Sequence, residues 1–180
     1  MKRIIMITGG QRSGKSTYAE QLALDLSPTP IYIATSRIWD EEFRQRVKIH
    51  QQRRGPQWIN IEEEKWLSHH NVRGRVVLID CVTLWATNFF FDLQMTENAS
   101  AEEKSSHVQQ VLEILKKEFS AFTEQDATFI FVTNEIGLGG VSENALQRQF
   151  TDLEGWMNQF IASQADEVIL MVSGIPVKIK

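Results

Sequence analysis

"RIIMITGGQRSGKSTYAEQLALDL", residues 3–26, decides the fold. After Arg3, residues 4–8 form a short apolar run that stops at Gly9. A strand buried on both faces reads this way. Residues 16–26 then carry Tyr18 or Ala19, Leu22 and Leu26 at helical spacing. Between the two, Gly9 to Ser16 fits the pattern GxxxxGK(S/T). That pattern arises by chance in roughly one chain in a hundred of this length. The strand before it and the helix after it supply the setting a phosphate-binding loop requires. Gly9 and Gly14 let the backbone curl so that its N–H groups converge on phosphate oxygens. The helix N-terminus adds positive potential. Lys15 would meet the outer phosphates of a nucleoside triphosphate, and Ser16 would offer its hydroxyl to Mg²⁺.

Working outward, strands and helices alternate. "IYIAT" (31–35), "RVVLID" (75–80), "TFIFVT" (128–133) and "EVILMV" (167–172) read as further strands. Helices are expected over 39–52, over "CVTLWATNFFFDL" (81–93), over 101–122 and over a long segment ending near 164. In the third, Val108, Val111, Leu112, Leu115, Phe119 and Phe122 share one stripe, and in the last Leu146, Phe150, Leu153, Met157 and Phe160 do. Gly174 between "EVILMV" and "IPVKIK" predicts a tight turn and an antiparallel C-terminal pair. The pattern is an α/β fold: a P-loop NTPase-type, mostly parallel sheet flanked by helices. The length of 180 residues suits one domain spanning 1–180.

Composition narrows the function. The chain is 42% hydrophobic and 23% charged, as in ordinary globular proteins. Its net charge of -4 disfavours a nucleic-acid-binding surface. The one cysteine, Cys81, reads as a small buried residue and excludes an internal disulfide. No stretch reaches the ~20 apolar residues of a membrane span. A cytoplasmic protein is expected.

A phosphate loop needs a second acid at a neighbouring strand end to help hold Mg²⁺. Asp80 is the candidate, and Thr133, Asn134 and Glu135 offer further polar groups at a strand end. His69, His70 and His107 lie in polar stretches and read as surface residues. His50 differs. On a helix over 39–52 it shares a face with Trp39, Phe43, Arg46 and Val47, with Arg53 and Arg54 close by. From the residues alone, a helix-terminal histidine packed on the core edge is the simpler reading. The alternative is a nucleophile: a neutral imidazole can carry a phosphoryl or nucleotidyl group, and the arginines would absorb developing negative charge.

Several stretches together resemble one family: "ITGGQRSGKS", "YIATS", "LIDCVT", "FVTNEIGLG" and "VSGIPVKIK", running from residue 7 to 180. It is the bifunctional adenosylcobinamide kinase / adenosylcobinamide-phosphate guanylyltransferase family of cobalamin assembly. The resemblance implies phosphorylation of the aminopropanol hydroxyl of adenosylcobinamide by ATP or GTP. It also implies transfer of GMP from GTP to that phosphate through a GMP-histidine. The guanylylated histidine falls on His50. Nucleotide contacts fall on Gly9, Gly10, Gln11, Arg12, Ser13, Gly14, Lys15 and Ser16, and on Ala34, Thr35 and Ser36. They fall also on Gln51, Gln52, Arg53 and Arg54, and on the acids Glu62 and Asp80. A homotrimer is implied, and the apolar "NFFFDL" (88–93) would suit a subunit contact, although a core helix explains it too. Two departures stand out. "QQRR" (51–54) replaces the usual Lys-Asp-Gly-Arg after the histidine, and Asp80 stands where glutamate is usual. A P-loop switch that hydrolyses nucleotide, or a small-molecule kinase with a structural His50, would share the same loop.

Overall fold

The computed structural model describes residues 1–37, 41, 54–93 and 100–180. The expected helix over 39–52 lies outside these residues apart from position 41. The elements run β1 (Arg3–Gly9), α1 (Lys15–Leu26), β2 (Ile31–Ala34), β3 (Ile59–Glu62), β4 (Val76–Asp80), α2 (Val82–Asp92), α3 (Ala101–Thr123), β5 (Thr128–Val132), α4 (Ala145–Gln164), β6 (Glu167–Val172) and β7 (Ile175–Lys178). One seven-stranded sheet has the order β3-β2-β4-β5-β1-β6-β7. All neighbours are parallel except β6 and β7.

β1 sits between β5 and β6, with Ile4 to Thr8 buried. Its apolar run is the signature of a strand covered on both faces. One face packs under α2, α3 and α4, where Trp85, Phe119, Phe122, Phe129 and Phe131 are almost fully buried. The other packs under α1 through Ala19 and Ala23. The chain leaves β1 toward β2 on one side and later crosses to β6 on the other. The carboxyl ends beside β1 are therefore where α/β sheets open a crevice.

α3 starts with a capping box. Ser100 Oγ accepts from the Glu103 N–H at 3.2 Å, and the Glu103 carboxylate accepts from the Ser100 N–H at 2.7 Å. The turn between β6 and β7 has positive φ at both central residues, Ser173 (51°) and Gly174 (84°). That is the two-residue hairpin whose twist matches its strands.

Four expectations are corrected. β3 was not expected: "INIE" is four residues long, half polar and mostly exposed, as an edge strand can be. On α1 the buried face is Lys15, Ala19, Glu20 and Ala23, while Leu26 is 40% exposed, because small residues let the helix approach the sheet closely. Leu146, at the start of α4, is likewise exposed. His107 is buried at 8% exposure, with its Nε2 3.1 Å from the Leu93 carbonyl and its ring against Phe90. Of "NFFFDL", Asn88, Phe89 and Phe90 are core and Phe91 is exposed. Among the described residues, no helix is long and apolar enough to cross a membrane.

Candidate nucleotide cleft

The loop from Gly9 to Ser16 joins β1 to α1 at the carboxyl end of the sheet. Gly9 has φ +150°, and a Cβ there would stand 2.6 Å from the Met171 carbonyl oxygen and 2.8 Å from Ser13 Oγ. Only glycine fits so close to a backbone oxygen. Gly14 has φ +96° and serves as the N-cap of α1 with no side-chain cap. The first-turn N–H groups of α1 thus have no capping side chain and face the site as anion donors. The C-terminal hairpin braces the loop from outside. The Gly174 N–H donates to the Ser13 carbonyl at 2.9 Å.

Lys15 folds back along the loop, and its Nζ donates to the Gly10 carbonyl at 2.7 Å. Burial lowers its pKa, opposed by the carboxylate of Asp80 and by Glu154 when ionised. A partly desolvated cation tied to a single carbonyl is poised to exchange that contact for a phosphate. Ser13 Oγ is buried and has no partner among the described residues.

In front of the loop lies a cleft of about 250 Å³. Gln11, Arg12, Lys15 and Ser16 form one wall, and Tyr32, Ala34, Ser36, Arg54 and Asp80 another. Cys81, Leu84, Val132 and Asn134 close it. Arg54 stacks its guanidinium 3.5 Å from the centre of the Tyr32 ring. Its Nε and Nη1 are buried with no partner among the described residues. The Tyr32 hydroxyl donates to Asp80 Oδ2 at 2.9 Å. Burial first, then the Asp80 charge, raises the Tyr32 pKa well above its ordinary value, so it stays a donor. Burial also pushes the Cys81 thiol up to about 12, which leaves it unreactive.

The structure thus brings Gln11, Arg12, Lys15, Ser16, Ala34, Ser36, Arg54 and Asp80 together around one cleft. Thr35 stands behind it, fully buried. Its hydroxyl donates to the Cys81 carbonyl at 2.7 Å and accepts from the Cys81 N–H at 2.8 Å. Glu62 ends β3 in register with Ala34, exposed and outside the cleft lining. His50, Gln51, Gln52 and Arg53 lie outside the described residues. Sequence reasoning missed Tyr32. A tyrosine in a buried strand needs a partner for its hydroxyl, and that requirement was the available signal.

The chain matches the family described as cobinamide kinase / cobinamide phosphate guanyltransferase over residues 5–179. It belongs to that family. It is 39% identical to the bifunctional adenosylcobalamin biosynthesis protein CobU of Escherichia coli strain K12, over 98% of this chain and 99% of that one. It is 35% identical to the corresponding protein CobP of Pseudomonas aeruginosa, over 97% and 96%. A solved structure, the flagellar accessory protein FlaH of Methanocaldococcus jannaschii, matches over 99% of this chain and 78% of that one. Its TM-score is 0.47 at 14% identity, too distant to argue from. An enzyme of cobalamin biosynthesis that joins a kinase and a guanyltransferase in one chain accounts for a cleft built to receive phosphates.

Proposed function

We propose that this enzyme phosphorylates the aminopropanol hydroxyl of adenosylcobinamide with ATP or GTP, then caps the new phosphate with GMP through a GMP-histidine at His50. In the first step the hydroxyl oxygen bonds to the γ-phosphorus, the nucleoside diphosphate leaves and the hydroxyl proton is lost. In the second, an imidazole nitrogen of His50 bonds to the α-phosphorus of GTP and pyrophosphate leaves. An oxygen of the cobinamide phosphate then attacks that phosphorus and the P–N bond breaks, giving adenosylcobinamide-GDP and free His50.

The observation that carries this reading is the pair of cations with unfilled bonding capacity facing one cleft. Among the described residues, Lys15 has one carbonyl contact, and Arg54 has two unpartnered nitrogens held over Tyr32. Both suit phosphate oxygens. Three residues separate His50 from Arg54 in the sequence, so their Cα atoms are at most about 15 Å apart.

Ser16 and Asp80 both line the cleft and offer a hydroxyl and a carboxylate oxygen. Among the described residues there is no cluster of three or more His, Cys, Asp or Glu that would hold a resident metal. The two oxygens fit Mg²⁺, which takes few protein ligands and completes its shell from phosphate and water. When bound, Mg²⁺ would neutralise phosphate charge. Gln51, Gln52, Arg53 and Glu62 are proposed nucleotide contacts on the resemblance alone, as is the assembly of three copies.

Incubation with GTP and Mg²⁺ should add the mass of one GMP to the intact protein, and His50→Ala should abolish the adduct while phosphorylation of the corrinoid continues. Unmodified wild-type protein, with the kinase step intact, would sink the histidine assignment.

A further inference from the structure

Glu154 is a carboxyl group that the reaction above does not use. It is fully buried on α4, behind the end of β5. Its Oε1 accepts from Thr83 Oγ1 and lies 3.4 Å from Thr133 Oγ1. Its Oε2 is buried without a partner among the described residues. Thr83 Oγ1 also stands 2.8 Å from Asn134 Nδ2 and 3.2 Å from the Asn134 N–H. Asn158 completes the cluster. Its Nδ2 donates to the Asn134 carbonyl at 2.9 Å, and its Oδ1 accepts from Thr133 at 2.7 Å. Asn134 is tied at its N–H, its C=O and its Nδ2. The amide oxygen Oδ1 makes no hydrogen bond among the described residues, and Asn134 lines the cleft.

With Oε2 lacking a partner among the described residues, a proton on Glu154 finds a hydrogen-bond acceptor only from Oε1, and counting protons then fixes the direction of this chain. A hydroxyl has one proton to give and two lone pairs to receive. The Asn134 N–H occupies one lone pair of Thr83. An ionised Glu154 can only accept, so Thr83 must give it the proton and receive Asn134 Nδ2 on the second lone pair. Asn134 then shows its carbonyl oxygen to the cleft. A neutral Glu154 that carries its proton on Oε1 gives it to Thr83. The Thr83 proton then points at Asn134, which can receive it only with the amide turned over and Nδ2 facing the cleft.

We propose that Glu154 is a positioning residue that, acting through Thr83, sets whether Asn134 offers the cleft a hydrogen-bond acceptor or a donor. The acceptor form suits the hydroxyl of a phosphoryl acceptor, and the donor form suits a phosphate oxygen. The inference rests on the reading of the cleft as a site for phosphorylated substrates. The balance between the two forms lies in the physiological range. Burial, the dominant influence, pushes the Glu154 carboxyl up to about 7, opposed first by the hydrogen bond from Thr83. The titratable groups facing it are Glu135 after β5, which opposes ionisation, Lys15 of α1, which favours it, and Cys81 before α2, whose thiol stays neutral.

The test follows the Asn134 side-chain amide by ¹⁵N NMR from pH 6 to 8 in nucleotide-free protein, its signal assigned by its loss in Asn134→Asp. The wild-type signal should shift with a single midpoint shared by the Glu154 carboxyl carbon. Glu154→Gln and Thr83→Val should abolish the shift, and Thr83→Ser should keep it. In the same variants, the change in kinase kcat/KM across that pH range, roughly tenfold for one well-placed hydrogen bond, should be lost with the shift and retained with it. A wild-type amide that does not move, or one that moves equally in Glu154→Gln, overturns the proposal whether or not the protein phosphorylates a corrinoid. Loss of catalysis with the amide titration intact would instead count against the reading of the cleft.

Discussion

The two walls of the cleft are held by different physics. The inner wall, from the Gly9–Ser16 loop to Asn134, is fixed by backbone packing and buried polar bonds. Lys15 is 7% exposed and Glu154 and Thr133 fully buried. The outer wall, from Ser36 to Arg54 and Asp80, buries Tyr32 but is flanked by half-exposed charges outside the cleft lining. Arg37 pairs with Glu64 and, through both terminal nitrogens, with Asp92. Buried groups cannot borrow water when a partner is lost, whereas exposed ones can. Substitutions on the inner wall should therefore act steeply, and those on the outer wall in small steps.

The steepest effect is expected at the loop itself. Lys15→Ala removes a partly desolvated cation from the phosphate site and should lower kcat/KM of both steps by at least about 100-fold. Gly9→Ala should act through the fold instead. Its Cβ would meet the Met171 carbonyl at 2.6 Å, and a backbone oxygen cannot swing aside, so a loss of about 3 kcal/mol in denaturant unfolding is expected. A Gly9→Ala protein of wild-type stability would break the contrast between the walls.

The second effect concerns pH. The folded pKa of Glu154, about 7, lies above the ordinary 4.5. The folded state therefore binds this proton more tightly than the unfolded state. The stability it carries is complete below about 4.5 and is lost as pH rises through about 7. The gap of about 2.5 pH units corresponds to on the order of 3 kcal/mol. Glu154→Gln, which does not titrate, should unfold at a higher urea concentration than wild type at pH 8, with little of that gain left at pH 5. An equal difference at both pH values would show that Glu154 is not held neutral by burial.

How much of this was legible in the sequence follows the same divide. The loop was readable because strand, glycines, Lys15 and Ser16 are contiguous and the apolar run before them has one meaning. β3 was not, because four residues of mixed character at a sheet edge carry almost no periodic signal. Glu154 was legible in principle: it lies four residues after Phe150 and four before Asn158, on the stripe that buries Leu153 and Met157. A charge on an apolar stripe demands partners. Which partners depends on the start of α2 and the end of β5 meeting α4, contacts between residues 21 to 71 positions apart that no local pattern encodes. Tyr32 and Arg54 join across 22 positions for the same reason.

The smallest effect should come from the outer wall, and it tests what that wall is for. Arg37 ends the first continuous stretch of described residues, thirteen positions before His50. Asp92 is held well below its ordinary pKa by hydrogen bonds from Arg37 and then Lys65. A depressed carboxylate contributes stability above its unfolded pKa, near 4, and loses it only as the pH falls further. Arg37→Ala should therefore cost less than about 1 kcal/mol at pH 7, since these side chains are 26% to 44% exposed and screened by solvent. High salt should shrink the difference further. If the wall anchors the His50 segment, Arg37→Ala should nonetheless slow formation of the GMP adduct several-fold while leaving corrinoid phosphorylation near wild type. On the proposed reading the kinase step draws chiefly on Lys15 and the Gly9–Ser16 loop, whereas Arg37 forms ion pairs with Glu64 and Asp92. Equal slowing of both steps would mean that Arg37 serves the cleft as a whole, and the two walls would not be separable.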